Sequence, residues 1–221
     1  MKSVKSLGLI LAFCLCLSGC FGDLGTATPS TDVTTTTTTT GSSTTEASTA
    51  EVAGTQTDRL PLPQDTLSFS FCSGAGAWGT ELRLNKDGTF TGLFNDSDMG
   101  DMGEGYPNGT RYTCSFSGKF ENIVQVDALT YKMTLEDIQT ERASGDEWID
   151  DGVRYIATGP YGLEGGKEFI FYLPDTPVNT LSQEFLSWWP YRYDQNTNPK
   201  TTLSCYGILN VATGHGYFHA I

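Results

Sequence analysis

The chain has 221 residues, with 13 Lys and Arg against 26 Asp and Glu, a formal net charge of −13. That excess of acid argues against nucleic acid and anionic lipid headgroups as partners, because both need a positive patch to displace counterions. It fits a solvated acidic surface, and at most favours cationic ligands or metal ions.

The first element in the chain is a targeting segment. Lys2 and Lys5 are followed by Leu7 to Leu17 (LGLILAFCLCL), an uncharged apolar run of 11 residues. A bilayer span needs about 20 residues, so the run predicts the core of a signal peptide over residues 1–19. Leu17-Ser18-Gly19-Cys20 comes next: an aliphatic residue, two small residues, then cysteine. This tetrapeptide resembles the lipobox of bacterial lipoproteins. The resemblance implies cleavage before Cys20, a diacylglyceryl group on its thiol, and a protein anchored to the extracytoplasmic face of the cell membrane. Two acyl chains hold a protein stably, whereas one, at about 0.8 kcal/mol per buried methylene, is marginal. Cleavage there removes both lysines and no acid, leaving 11 basic against 26 acidic residues, a net charge of −15.

Residues 20–59 are expected to form the lipidated N-terminus and a disordered tether. From Thr26 to Thr57 there are 15 threonines and no basic or aromatic residue. Such a composition buries too little apolar surface to offset chain entropy. As a flexible coil it spans about 30 Å root-mean-square.

From Leu60 onward, residues 60–221 are expected to form a single β-barrel-like domain. Short alternating or apolar runs are punctuated by Gly, Asn and Asp, which is a strand-and-turn pattern. Strands are predicted at Thr66–Cys72, Trp78–Leu84 and Thr89–Phe94, the last two joined by a hairpin turn at Asn85-Lys86-Asp87-Gly88. Further strands are predicted at Thr110–Phe120, Ile123–Val126, Thr130–Ile138, Val153–Thr158, Glu168–Leu173 and Leu203–Asn210, with a last one through Tyr217 and Phe218. One short helix is expected after a capping box of Thr180 and Gln183, with Leu181, Phe185, Leu186, Trp188 and Trp189 as its apolar face and Pro190 as its stop. Eight or nine strands with one helix predict an all-β fold, an antiparallel barrel or a strongly bent sandwich.

Gly76-Ala77-Trp78, ahead of that first hairpin, resembles the G-x-W opening of lipocalin-like (calycin) barrels. The resemblance implies a barrel-plug role for Trp78. The domain is also similar to a group of lipoproteins of Gram-positive anaerobic bacteria that has no assigned activity. The segments that carry this are Trp78-Gly79-Thr80-Glu81-Leu82, Asp96-Ser97-Asp98-Met99-Gly100-Asp101, Glu147-Trp148-Ile149, Tyr161-Gly162-Leu163-Glu164-Gly165-Gly166 and Glu184-Phe185-Leu186-Ser187-Trp188. It implies location and domain extent only.

Chemistry could sit in a few places. Asp96, Asp98, Asp101 and Glu104, spaced by glycines, are the donor set of a Ca²⁺ loop, since calcium takes six to eight hard oxygens. The EF-hand pattern is not met: its glycine position holds Asp101 and its final glutamate position holds Pro107. Apart from this loop no cofactor is expected. Asp146, Glu147, Asp150 and Asp151 form a second acidic patch around a turn at Asp150-Asp151-Gly152. His215 and His219, four apart on a strand, would share a face and could share a metal ion. Cys72, Cys114 and Cys205 allow one disulfide and one odd thiol in an oxidising compartment. Cys114 with Cys205 is the expected pair, and the other two pairings stay open. No G-x-S-x-G elbow and no phosphate-binding glycine loop is present.

The function expected is a non-enzymatic, surface-tethered ligand-binding or interaction module, taking a small apolar molecule, a glycan or a peptide in the interior or at the rim. A secreted hydrolase with carboxylate or metal chemistry and a structural envelope protein are the alternatives.

Overall fold

The computed structural model describes residues 54–74 and 76–220. The expected signal peptide, the lipidation site at Cys20 and most of the tether lie outside the described residues. The strands are β1 (Thr55–Gln56), β2 (Thr66–Cys72), β3 (Trp78–Asn85), β4 (Thr89–Asp98), β5 (Thr110–Gln125), β6 (Thr130–Thr140), β7 (Glu147–Asp150), β8 (Val153–Ala157), β9 (Glu168–Tyr172), β10 (Gly207–Asn210) and β11 (Gly216–His219). Among the described residues a single α-helix, α1, covers Gln183–Ser187.

Eight of the strands close into an antiparallel barrel. Each of β2, β3, β4, β5, β6, β9, β10 and β11 pairs with the next, and β11 returns to β2 through Phe218↔Ser70 and His219↔Phe69. The all-β barrel expected from the sequence is therefore present. Its strands follow one another in chain order, interrupted only by β7 and β8. Those two form a hairpin on the outside, where β8 runs parallel to the start of β5 from Thr110↔Arg154 to Thr113↔Ala157.

Alternation builds the wall. In β2, Leu67, Phe69 and Phe71 point inward and are buried, while Ser68, Ser70 and Cys72 face out. A period of two does this because successive side chains leave opposite faces of a strand. The Asn85–Gly88 turn forms as predicted: Gly88 has φ +84°, and its N–H donates to Asn85 O. Asp87 braces the same turn by accepting from the N–H and hydroxyl of Thr89.

Three details differ from the sequence expectation. Strand pairing begins at Thr55, inside the expected tether, with Thr55↔Gln125 and Gln56↔Val124. The two strands predicted between Thr110 and Val126 are one, bent by register shifts at Gly118/Phe120 and Glu121/Val124, where Asn122 takes φ +50°. An extra residue in one strand reads in sequence as a break, although the pairing continues across it. The helix is capped by Ser182, whose Oγ accepts from Phe185 N at 3.2 Å; Thr180 instead ends a separate 3₁₀ turn, Val178–Thr180.

There are two cores. The first fills the barrel with Phe69, Phe71, Leu82, Leu84, Phe90, Phe94, Phe116, Phe120, Met133, Phe169, Phe171, Ile208 and Tyr217. The second lies outside the β9–β10–β11 wall, where Tyr172, Leu209 and Phe218 are covered by Leu181, Phe185, Leu186, Trp189, Leu203 and Cys205. The Phe185 ring sits between Phe218, at 4.7 Å, and Tyr172, at 5.3 Å. Covered on both faces, β10 is buried at every position.

Candidate functional site

An eight-stranded barrel is just wide enough either to be filled by side chains or to hold one small ligand. Here it is filled, and both ends are stoppered. At the end where β2 begins, Leu60 and Leu62 join the interior core, and Leu60 N donates to Lys86 O in the β3–β4 turn. At the other end the β8–β9 connection turns inward at Tyr161-Gly162-Leu163, and Leu163 is only 1% exposed.

That stopper is held by a satisfied polar network, as buried backbone groups require. Thr80 Oγ1 donates to Tyr161 O at 2.8 Å, and Tyr217 OH donates to the same carbonyl at 3.0 Å. Asn210 Nδ2 donates to Gly162 O at 3.0 Å, and Gly162 N donates to Glu164 Oε2 at 2.6 Å. Burial, with Glu164 nearby, pushes the Tyr217 phenol well above its ordinary range. Trp78 lies at this end, half-buried at the start of β3, with ring centroids 5.0 Å from both Phe71 and Tyr161 and 6.2 Å from Trp188.

Three of the four residues singled out for calcium have other partners. Asp98 Oδ1 accepts from the N–H groups of Gly100 and Asp101, and Asp96 Oδ1 accepts from Ser97 N. Asp101 pairs with the Arg154 guanidinium, which also donates to Thr110 Oγ1 and lies 4.8 Å from the Tyr106 ring centre. The loop is thereby pinned to the inner side of the β7–β8 hairpin. Among the described residues no three His, Cys, Asp or Glu side chains gather as a metal would need, so the Asp96, Asp98, Asp101 and Glu104 set is not brought together. One oxygen each of Asp96 and Asp98 is held by turn N–H groups, and Asp101 is held by Arg154.

The histidines separate in the same way. His215 lies before β11 and stacks on Phe71 at 4.8 Å, whereas His219 Nδ1 lies 2.8 Å from Ser68 O. The expected Cys114–Cys205 disulfide is not formed. Cys114 belongs to the barrel interior and Cys205 to the outer core, with wall strands between the two, and all three thiols are free. Burial raises both buried thiols to about 11, Cys114 further through Glu164; for Cys205 the facing Trp189 N–H pulls the other way. Two carboxyls have shifted acidity, Asp87 through the Thr89 hydroxyl and Asp194 through Asn198 N–H, and both shift downward. That is opposite to what a proton donor at neutral pH needs.

The barrel's outer wall carries a different arrangement. The registers Ser97↔Arg111, Arg111↔Tyr155 and Tyr155↔Trp148 place four side chains in one row across β4, β5, β8 and β7. Trp148 and Tyr155 stack with centroids 5.1 Å apart and planes 7° from parallel. Arg142 sits over the Trp148 ring at 4.2 Å, and Arg111 lies 5.8 Å from the Tyr155 centroid. Beside this stack, β6 and β8 diverge from the same edge of β5 and open a cleft of about 250 Å³, lined by Thr113, Ser115, Glu141, Arg142, Trp148 and Tyr155 among others. On the far side of Arg111 a shallower groove runs over Ser97, Asn95, Leu93 and Glu81. In the sequence Trp148 stands among the acids Asp146, Glu147, Asp150 and Asp151, and nothing local marks this row. The signal available was the apolar pair Trp148-Ile149 between Glu147 and Asp150, which the acidic residues hid and which lies in strand β7. No family model, curated protein or solved structure matches the chain.

Proposed function

We propose that the protein is a lipoprotein anchored through Cys20 to the extracytoplasmic face of the membrane, and that its barrel is a non-enzymatic binding module working through its outer wall. The anchor is supported by the Leu17-Ser18-Gly19-Cys20 tetrapeptide behind an 11-residue apolar core. The binding surface is supported by one observation: the barrel interior is filled with side chains and stoppered by Leu163, while the cleft at the β5 fork stays open outside. A small apolar guest would have to displace packed Phe rings, whereas a guest in the cleft displaces water.

Two measurements test this. Metabolic labelling with palmitate in a bacterial host should mark the wild-type chain and not Cys20→Ala; equal labelling of both overturns the anchor. For the wall, Ser115→Trp fills the cleft from an outward position and leaves the core untouched. Binding of peptides or glycans by the full chain that Ser115→Trp abolishes supports the outer-wall reading. An apolar molecule co-purifying in one-to-one amount, and retained in Ser115→Trp, overturns it.

A further inference from the structure

The ligand class can be read from which groups in the cleft have partners. Resting on the outer-wall reading, we infer that the cleft and the row beside it bind an acidic sugar chain, a polyhydroxylated carboxylate.

Arg142 and Arg111 carry the argument. Neither is in an ion pair among the described residues, although acids outnumber bases two to one in this chain. Both are positioned by the Trp148–Tyr155 stack. A guanidinium resting on a ring keeps its in-plane N–H donors free, and has already lost much of the rotamer freedom that binding would otherwise cost. A planar fork held that way matches a carboxylate with two hydrogen bonds.

The other lining groups reject a bare anion. Glu141 shares the cleft with Arg142, so a small inorganic anion meets repulsion as well as attraction. A ligand that also carries hydroxyls turns Glu141 into an acceptor. The single Thr113 Oγ1 proton is shared between Phe94 O and Asn95 Oδ1, and Thr158 Oγ1 donates to Thr113 O, so both hydroxyl oxygens remain as acceptors. Ser115 has no hydrogen-bonding partner among the described side chains and is free to donate. Acceptors for hydroxyls therefore stand next to donors for a carboxylate.

The stack also decides against neutral sugars. Carbohydrates with no charge are usually gripped by an open ring face. Here one face of Trp148 is covered by Tyr155 and the ring carries Arg142, while Tyr155 has Trp148 on one side and Arg111 beyond it. The cleft volume of about 250 Å³ lies just below the range of drug-sized pockets, which suits one sugar unit. Arg111, at the other end of the row, sits where a neighbouring unit's carboxylate would come, over the shallower groove.

The test uses the full chain in detergent, oligogalacturonate and monomeric galacturonate as acidic probes, and dextran as the neutral one, read by tryptophan emission and calorimetry. Oligogalacturonate should bind, galacturonate should bind more weakly, and dextran should not bind. Arg142→Gln should weaken oligogalacturonate binding about tenfold, as loss of a charge-assisted fork does, and Arg111→Gln should weaken it while leaving the monomer unchanged. Equal binding of dextran and oligogalacturonate, or acidic binding unmoved by Arg142→Gln, overturns the ligand class. If the acidic probes fail but another probe binds and is lost in Ser115→Trp, the ligand class falls and the outer-wall reading stands. If no probe responds to Ser115→Trp, both fall.

Discussion

Gly162→Ala tests whether the β8–β9 connection stoppers the barrel. Gly162 has φ +96°, a backbone state that costs an L-residue about 1–2 kcal/mol. A Cβ there would also lie 2.6 Å from Phe71 Cδ1, and closer still to the Tyr217 hydroxyl. Neither neighbour can yield freely: Phe71 is packed among Trp78, Trp188 and His215, and Tyr217 is bonded to Tyr161 O. Overpacking of that kind costs about 1–3 kcal/mol, and loss of the Tyr217 hydrogen bond about 1 kcal/mol more. The expected destabilisation is thus roughly 3–6 kcal/mol, a fall in Tm of about 6–24 °C for a domain of this size. Gly165→Ala is the control. Its φ of +66° carries the same backbone strain, but nothing lies within 4 Å of the added carbon, so it should cost only that, about 1–2 kcal/mol. Urea unfolding followed by tryptophan emission separates the two, with the midpoint moving and the slope constant. If Gly162→Ala is no more destabilising than Gly165→Ala, the loop does not pack into the barrel end.

Three further outcomes are expected. A maleimide should label Cys72 in the native protein and Cys72, Cys114 and Cys205 in the unfolded one without reductant; unfolded protein labelling only one of these three would restore the disulfide. Tyr217 has a folded-state pKa above its unfolded one, so its contribution is fully present below pH about 10 and is lost as pH rises through the folded value. Tyr217→Phe should accordingly cost about 1 kcal/mol at pH 7, for the missing bond to Tyr161 O, yet show a shallower loss of stability above pH 10; an unchanged alkaline slope would refute this. Millimolar Ca²⁺ should leave Tm unmoved, because Asp98 and Asp101 are already engaged with turn N–H groups and Arg154, whereas a rise that disappears in Asp98→Ala would reinstate the calcium loop.

The strands were legible because a period of two and a turn glycine are local signals. Leu67, Phe69 and Phe71 against Ser68, Ser70 and Cys72 declare one buried face, and Gly88 marks the hairpin before any partner strand is known. The helix was legible as an apolar aromatic run, but its cap was placed two residues early, because Thr180 and Ser182 offer the same hydroxyl and only the geometry chooses between them. The tether boundary failed for a related reason. Thr55 and Gln56 look like more of the threonine run until the end of β5 gives them a partner.

Residue identity along the chain therefore determined the all-β class, the hairpin and the excess of acid, and it alone motivates the proposed lipid anchor at Cys20, since each depends on neighbours within a few positions. Tertiary structure decided the rest. It placed Leu163 and Leu60 in the two ends of the barrel, held Cys114 and Cys205 apart, gave Asp101 to Arg154, and lined up Arg111, Tyr155, Trp148 and Arg142 from separate strands and a turn. Apart from the Arg142–Trp148–Tyr155 stack, these depend on residues tens of positions apart in the chain. They are fixed by strand register and by competition for a limited volume, and neither is written in any short stretch of sequence.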